Sequence, residues 1–242
     1  MGSHLSGTPA PFGFRDVVFL SHVLGGSTPV FPGDPPVELK SAATIERDGY
    51  YLQHVSFGEQ AGTHFAAAAH FSPGEPAADQ LDAADFFFPA VVVDRRAAAA
   101  ADRDFALGLA DVERWEAEFG EVPERAAVLL QSGYDSRWSD PAAYLGADSS
   151  GRLHYPGFGL AAARWLIDRR GIGALGTDTM GVDCGADATF SVNRMLLHGR
   201  RMHLENLCGL AAMPPAGGWI IVAGIRTSRG SGSPATVFGL VP

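Results

Sequence analysis

Two apolar runs separated by a helical pattern constrain the fold of this chain more than any other feature. Residues 126–131 and 172–178 are short and apolar and predict buried strands, and residues 160–169 between them have the apolar spacing of a helix. A strand, a helix and a strand in this order form a βαβ-like unit within one sheet. The chain is therefore predicted to be an α/β protein.

Further strands and one more helix extend this unit. The remaining strand-like runs are residues 16–21, 90–94, 219–223 and 236–240. Residues 111–120 have helical spacing and end at a glycine, which predicts a second helix. Residues 37–45 and 51–57 alternate as the two strands of a hairpin. The all-alanine run 97–101 is predicted to be a surface linker.

Composition and charge exclude several classes of protein. The 242 residues suit one domain, expected over residues 9–242, and the tag-like residues 1–8 are left out of it. The net charge of -9 without basic clusters argues against nucleic-acid binding. No apolar run is long enough to span a membrane. Cys184 and Cys208 cannot form a disulfide framework, and without a signal peptide they indicate a cytoplasmic protein.

Two histidines stand close together in residues 60–71. His64 and His70 are six residues apart, and the residues around them are small, which leaves space beside both rings. Imidazole titrates near neutrality, so such a pair can bind a metal or act as acid and base. The alternative is that each ring only satisfies a local hydrogen bond.

Residues 60–70 resemble the signature of the cyclase superfamily that includes kynurenine formamidase, His-x-Gly-Thr-His-x-Asp-x-Pro-x-His. Four positions match: Gly62, Thr63, His64 and His70. The first His, the Asp and the Pro are replaced by Gln60, Ala66 and Ala68. In that family the first two histidines and the Asp bind divalent metal, and the last histidine is the acid and base of the reaction.

The resemblance continues along the chain and points to residues around the substrate. The Pro-rich passage 29–35 resembles a family segment whose aromatic residue borders the substrate, which here is Phe31. Residues 132–134 resemble the family's Thr-Gly-Trp, and the loop after a strand often carries binding residues, so Tyr134 and Trp138 are predicted to contact substrate. Asp178 and Asp183 match aspartates that shape a loop beside the site.

Two later positions complete the comparison with the family's metal site. Asn193 falls where the family has a ligand histidine, and Glu205 where it has a ligand glutamate. Carboxamides bind zinc or manganese poorly beside imidazole and carboxylate, and Ala66 offers no ligand at all. A metal-independent site is therefore predicted. The fallback is a zinc or manganese ion held by His64, His70 and Glu205.

A metal-free site can still perform acid and base chemistry. Glu205 is flanked by apolar residues, so burial is expected to raise its pKa towards neutrality. His64 and His70 could supply the complementary acid or base. Gln60 and Asn193 could donate hydrogen bonds to a carbonyl oxygen in place of a metal. The small side chain at Ala66 would leave room for a larger ring system.

These observations predict the fold and the function. The resemblance implies a swivelling β/β/α-type domain with a mixed central sheet flanked by helices, assembled as a homodimer or homotetramer. The leading function is a metal-independent cyclase or hydrolase that forms or opens a ring of a small molecule at a carbonyl, amide or lactone-like centre, in secondary-metabolite biosynthesis. The alternatives are a metal-dependent arylformamidase acting on N-formylkynurenine and a binding protein without catalysis.

Overall fold

The computed structural model describes residues 13–242, in which strands and α-helices alternate between residues 87 and 205. The predicted tag, residues 1–8, lies outside the described range. The strands are β1 (Asp16–Phe19), β2 (Glu38–Ala43), β3 (Leu52–Ser56), β4 (His64–Ala66), β5 (Phe87–Asp94), β6 (Ala106–Leu107), β7 (Ala127–Gln131), β8 (Gly157–Phe158), β9 (Ala174–Thr177), β10 (Met202–Glu205), β11 (Gly218–Gly224) and β12 (Gly232–Val241). The α-helices are α1 (Ile45–Asp48), α2 (Arg96–Ala101), α3 (Leu109–Phe119), α4 (Pro141–Leu145), α5 (Leu160–Arg170) and α6 (Ser191–Leu196).

Eight of the strands form one mixed sheet in the order β1-β12-β11-β5-β7-β9-β10-β4. The pairs β5–β7, β7–β9 and β9–β10 are parallel, and the others are antiparallel. Strand β4 also pairs with β12, so the sheet closes on itself. A Cβ atom on Gly232 would overlap the carbonyl oxygen of Phe65, so glycine is needed where β12 reaches β4.

Side chains alternate between two apolar layers, one on each face of the sheet. On β5, Val91 and Val93 pack with helices α3, α5 and α6, whereas Val92 packs with the apolar residues inside the closed sheet. This alternation follows from the two-residue period of a strand. Helices α3 and α5 bury Trp115 and Leu166 against the outer face. The α/β class with a mixed central sheet is thus confirmed.

The predicted βαβ-like unit is present as β7, α5 and β9, and β7 and β9 are parallel neighbours. The hairpin is present as β2 and β3, although α1 lies in its connection with Thr44 as N-cap. The linker prediction for residues 97–101 is wrong, because these alanines form most of α2. Alanine has the highest intrinsic helix propensity, and Ala99 is buried, which together favour the helix.

Two further sequence predictions concern the membrane and the cysteines. No helix within residues 13–242 has the length and the apolar character needed to cross a membrane. Cys184 and Cys208 are both free, as expected for a chain without a disulfide framework.

Candidate active site

A cavity of about 260 Å³ lies where strands β4 and β10 meet the loops that follow β9. It is therefore at the carboxyl ends of the parallel strands, the usual place for a ligand in an α/β sheet. Six of the predicted site residues line it: Phe31, Gln60, His64, His70, Asn193 and Glu205. The other lining residues are Asp34, Phe71, Tyr155, Met180, Gly181, Asp183, Phe190 and His203.

The polar floor of the cavity is built by the antiparallel pairing of β4 with β10. In this register His64 is opposite Glu205, and Ala66 is opposite His203. Because strand side chains alternate, all four point to the same face, and the residues between them point to the other. Ala66 carries only a methyl group, which leaves space beside it. The ring of His203, on the neighbouring strand, lies opposite this small residue.

His64 is held in one orientation by its backbone surroundings. Its Nδ1 lies 2.9 Å from the carbonyl oxygen of Gly62, which can only accept, so Nδ1 carries the proton. Its Nε2 lies 3.3 Å from Oε2 of Glu205, close enough for an ion pair but not aligned as a hydrogen bond. Nε2 is therefore a buried nitrogen that faces the carboxylate of Glu205.

His203 is a site residue that the sequence reasoning missed. Its Nδ1 lies 2.6 Å from Oδ1 of Asn193 and 3.2 Å from Oε1 of Glu205. Both oxygens accept, so this nitrogen also carries the proton, and the buried Nε2 has no partner. Burial lowers the pKa of His203 well below its ordinary value and Glu205 only partly opposes this, so the ring is neutral near pH 7. The two-residue spacing of His203 and Glu205 on one strand was the signal that could have found it.

Glu205 is enclosed by polar partners, which overturns the prediction of a raised pKa. Burial alone does raise the pKa of this carboxyl, but His203, His64 and the backbone N–H of Val182 together outweigh it. The Val182 nitrogen donates to Oε1 over 2.9 Å. The pKa of Glu205 is therefore held below its usual range. The error arose because the apolar sequence neighbours of Glu205 point away from it, into the inner layer.

Asn193 reaches the cavity from the first turn of α6, and Asp183 fixes that helix. The carboxylate of Asp183 accepts the backbone N–H groups of Val192 at 2.6 Å and Asn193 at 3.1 Å. Burial raises the pKa of Asp183 to about 6. Asp178 acts similarly on another segment, since it accepts from the backbone of Ser132 and Gly133. Both aspartates thus shape loops, as the resemblance implied, and Asp183 also lines the cavity.

His70 and Gln60 lie at the mouth of the cavity. The Nδ1 of His70 is 3.5 Å from the amide nitrogen of Gln60, which also donates to Oγ of Ser231 over 3.1 Å. His70 is exposed to solvent and also lines the cavity. Desolvation, partly opposed by Glu205, lowers its pKa. His70 is therefore a neutral imidazole that can exchange protons with both the cavity and bulk water.

Aromatic side chains form the opposite wall. The ring of Phe190 lies between those of Phe31 and Phe71, with centroid separations of 6.1 and 5.6 Å. Phe190 has φ of 55°, a left-handed conformation that is strained for a bulky residue and is found mostly where function requires it. This wall is suited to a flat ring.

Tyr134 and Trp138 do not line the cavity, contrary to the prediction. The Tyr134 hydroxyl donates to the carbonyl oxygen of His154 over 2.8 Å. Trp138 stacks on the ring of His22, with centroids 3.9 Å apart, and packs edge-on against Tyr144. Both belong to an aromatic cluster behind Tyr155 and Met180. This cluster borders the cavity through Tyr155, Met180 and Phe31.

The five metal positions implied by the resemblance do not fit a divalent ion. Ala66 has no donor atom, the Gln60 amide nitrogen donates to Ser231, and the Asn193 oxygen is engaged by His203. His64 and Glu205 keep ligand types that zinc or manganese prefer, whereas Gln60 offers only an amide oxygen, a poor ligand for either ion.

A different group of donors lies nearby. Within residues 13–242, ligand atoms of His64, His203 and Glu205 lie within 4.8 Å of one another. The predicted fallback set is therefore altered, with His203 in place of His70. Two imidazoles and a carboxylate are a zinc donor set, although Nδ1 of His203 carries a proton and offers no lone pair.

The chain is similar to known proteins along most of its length. A family model described as "Putative cyclase" matches residues 18–184. The chain belongs to this cyclase family. It is also 33% identical, over 99% of its length and 98% of the relative's, to an isatin hydrolase of Roseibium aggregatum. The chain is accordingly an enzyme of the hydrolase or cyclase type.

Solved structures show the same similarity. An isatin hydrolase bound to the product analogue thioisatinate superposes with a TM-score of 0.89 and 31% identity, covering 93% of this chain and 92% of that one. Isatin hydrolase A from Ralstonia solanacearum gives a TM-score of 0.88 with 30% identity, covering 93% of this chain and 92% of that one. A potential metal-dependent hydrolase with cyclase activity shares the fold, with a TM-score of 0.71 at 17% identity over 94% of this chain and 98% of that one.

Proposed function

We propose that this enzyme forms or opens a ring of an aromatic small molecule at a carbonyl, amide or lactone-like centre, by acid and base catalysis without a metal ion. One observation carries the proposal. The family's ligand positions hold Gln60, Ala66 and Asn193, while His70, Glu205 and His64 still line the cavity. The ligand set has changed, and the titratable groups needed for proton transfer remain.

His70 is the residue we assign to proton transfer with the reacting oxygen. Its lowered pKa keeps the ring neutral near pH 7, so it can accept a proton from an attacking hydroxyl or water. In ring opening, water adds to the carbonyl carbon, the ring C–N or C–O bond breaks, and the proton passes to the leaving atom. In ring closure, a hydroxyl or amine group of the same molecule attacks the carbonyl carbon, and an oxygen of that carbon leaves as water.

Glu205, His64 and Asn193 form the polar side of the proposed site. The ionised Glu205 can stabilise positive charge that develops on His64, whose Nε2 faces it at 3.3 Å. His203 occupies the oxygen of Asn193, which leaves the amide N–H groups of Asn193 as donors to a carbonyl oxygen. Gln60 is the second proposed donor, beside His70.

Isatin is the first substrate to test, because the relatives with 30–33% identity over most of the chain are isatin hydrolases. It carries a cyclic amide fused to a flat ring, and the wall of Phe31, Phe71 and Phe190 is suited to such a ring. The altered ligand set of this chain favours a related but different substrate, and we keep a role in secondary-metabolite biosynthesis as part of the proposal.

A metal-dependent amidohydrolase is the second candidate, and the proximity of His64, His203 and Glu205 favours it. These residues would hold zinc or manganese, which would polarise a carbonyl group. This candidate includes the arylformamidase reaction on N-formylkynurenine. A binding protein without catalysis is the third candidate, which predicts no turnover of any compound tested.

Elemental analysis of the untagged protein, combined with a zinc and manganese titration, separates the first two candidates. We expect less than a stoichiometric amount of metal and turnover that persists in chelator. His70→Ala should then lower turnover by about 10²–10⁴-fold and retain ligand binding, with His54→Ala on the exposed strand β3 as the matched control. Stoichiometric metal, together with loss of turnover in chelator, would refute the metal-free proposal.

We also propose a homodimer or homotetramer. Large apolar side chains are exposed on strands β1, β11 and β5, namely Phe19 (67% exposed), Trp219 (48%) and Phe87 (48%). Exposed apolar patches of this kind often mark subunit interfaces. Light scattering coupled to size-exclusion chromatography tests this, and a monomer at micromolar concentration would contradict it.

A further inference from the structure

Unpartnered hydrogen-bond acceptors are concentrated in the cavity. His64 and His203 are 2% and 1% exposed, and the Nε2 atom of each is buried without a hydrogen-bond partner. Because Nδ1 carries the proton in the ring of His203, its Nε2 is an acceptor, whereas Nε2 of His64 faces Oε2 of Glu205 at 3.3 Å. The side-chain oxygen of Gln60 is a second buried acceptor without a partner. An unpaired buried polar atom is costly, so a ligand that donates to these atoms would stabilise the site.

The charged side chains that line the cavity are carboxylates. Three carboxylates line it, those of Asp34, Asp183 and Glu205, and none of its lining residues within the described part of the chain is a lysine or arginine. The guanidinium of Arg194 donates to the carbonyl oxygen of Thr189 and lies 5.4 Å from the ring centroid of Phe71. Glu205 accepts the backbone N–H of Val182 and has the Nδ1–H of His203 at 3.2 Å. By contrast, Asp34 and Asp183 have no cation beside them in the cavity. An anionic ligand would meet like charge on entering.

We infer that the cavity selects an uncharged aromatic molecule that donates hydrogen bonds through O–H or N–H groups, and discriminates against carboxylates. The inference rests on the proposed metal-free site, because a bound cation would reverse the charge balance. It distinguishes this chain from the isatin hydrolase that was crystallised with the product analogue thioisatinate. A reaction whose substrate and product both remain uncharged, such as ring closure by attack of a hydroxyl group on a ketone with loss of water, suits such a cavity better than one that forms or consumes a carboxylic acid.

Three probes with the same naphthalene ring test the inference by isothermal titration calorimetry at pH 7. The first is 2-naphthol, an uncharged donor, the second is 2-methoxynaphthalene, which has no donor, and the third is 2-naphthoate, an anion. The protein is the full chain, dialysed against chelator and checked for metal. We expect 2-naphthol to bind about tenfold more tightly than the methyl ether, as one hydrogen bond to a buried acceptor would provide, and 2-naphthoate to bind most weakly.

Asp34→Asn tests the charge part of the inference. Asp34 is exposed at the mouth, so its removal should leave the fold intact. We expect the variant to bind 2-naphthoate about threefold to fivefold more tightly than the wild type does. The gain is small because solvent screens the charge of an exposed carboxylate. The affinity for 2-naphthol should not change. The matched control is Glu124→Gln, an exposed carboxylate that precedes β7 at the other end of the sheet, which should change neither affinity.

The outcomes separate this inference from the proposed function. If metal-free protein binds 2-naphthoate as tightly as 2-naphthol, or does not distinguish 2-naphthol from its methyl ether, the inference is wrong, whatever the turnover experiments show. Failure of 2-naphthol to bind at all also overturns it. Retention of stoichiometric metal after dialysis contradicts the proposed function instead, and the charge argument then falls with it.

Discussion

Replacing His203 with leucine tests whether the buried polar cluster stabilises the fold or merely fills space. Leucine has a similar size and can be buried without a hydrogen-bond partner. It lacks the N–H that points to Asn193 and Glu205. The oxygen of Asn193 then has no partner in the protein. Glu205 keeps the backbone N–H of Val182 and the contact with His64.

The expected cost follows from these two losses. A hydrogen bond to a charged group contributes about 1.5–3 kcal/mol, and an unsatisfied buried acceptor costs about 1–3 kcal/mol. Burial of leucine offsets part of this, since an apolar side chain needs no partner. We expect the free energy of unfolding to fall by about 2–4 kcal/mol at pH 7.5, which for a protein of this size lowers Tm by roughly 5–15 °C.

The loss of stability caused by His203→Leu should become smaller as the pH falls. Burial holds the pKa of His203 below its ordinary value of 6.5, so below pH 6.5 the unfolded chain takes up a proton that the folded protein does not. The wild type therefore loses about 1.4 kcal/mol per pH unit from this group, or about 2 kcal/mol between pH 6.5 and 5.0. The leucine variant has no such loss. Loss of His203 also raises the pKa of Glu205, which favours the variant at low pH and so acts in the same direction.

Urea unfolding of both proteins at pH 7.5 and 5.0, in chelator, measures this effect. The difference in free energy of unfolding should narrow by about 2 kcal/mol or more between the two pH values. His54→Leu on β3, whose ring is exposed, is the control and should stay within about 0.5 kcal/mol at both pH values. A difference that does not change with pH, or that widens towards pH 5.0, would refute the assignment of His203 as a buried neutral donor.

Three further changes test other parts of the structure. His70→Ala should lower kcat/KM by about 10²–10⁴-fold with little change in Tm, measured by steady-state kinetics and thermal unfolding, because the ring lies at the open mouth of the cavity. Asp183→Asn should cost about 1–2 kcal/mol in urea unfolding, because an amide oxygen accepts the two N–H groups at the start of α6 less strongly than a carboxylate; equal stability would contradict this role. Leu166→Ala should cost about 2–5 kcal/mol by the same measurement, because Leu166 is fully buried between α5 and the sheet.

Local patterns predicted most of the fold. The apolar runs and the helix pattern placed β7, α5 and β9 to within two residues at each end, because burial on a sheet leaves a clear period in the sequence. The alanine run was misassigned because its lack of apolar contrast looks like a linker, whereas propensity and one buried alanine make it helical. The closing contact between β12 and β4 has no local signature, since it depends on backbone approach at Gly232.

Part of the candidate site could likewise be predicted from the sequence, and part of it could not. Its segment around His64 and His70, and the replacement of ligand positions by Gln60, Ala66 and Asn193, can be read from the residues alone. The pKa direction of Glu205 could not be, because it depends on the partners facing its carboxylate. Likewise, Tyr134 and Trp138 follow the predicted strand but turn into an aromatic cluster behind the cavity.

The sequence by itself therefore determined that this chain is an α/β protein of the cyclase type with an altered set of metal positions. Only the tertiary structure decided which side chains surround His64 and Ala66 in the cavity. His203 stands opposite Ala66, and Glu205 opposite His64, because β10 pairs with β4 although the two strands are far apart in the chain. A cross-strand neighbour is set by sheet register, which long-range packing determines and which no local pattern records.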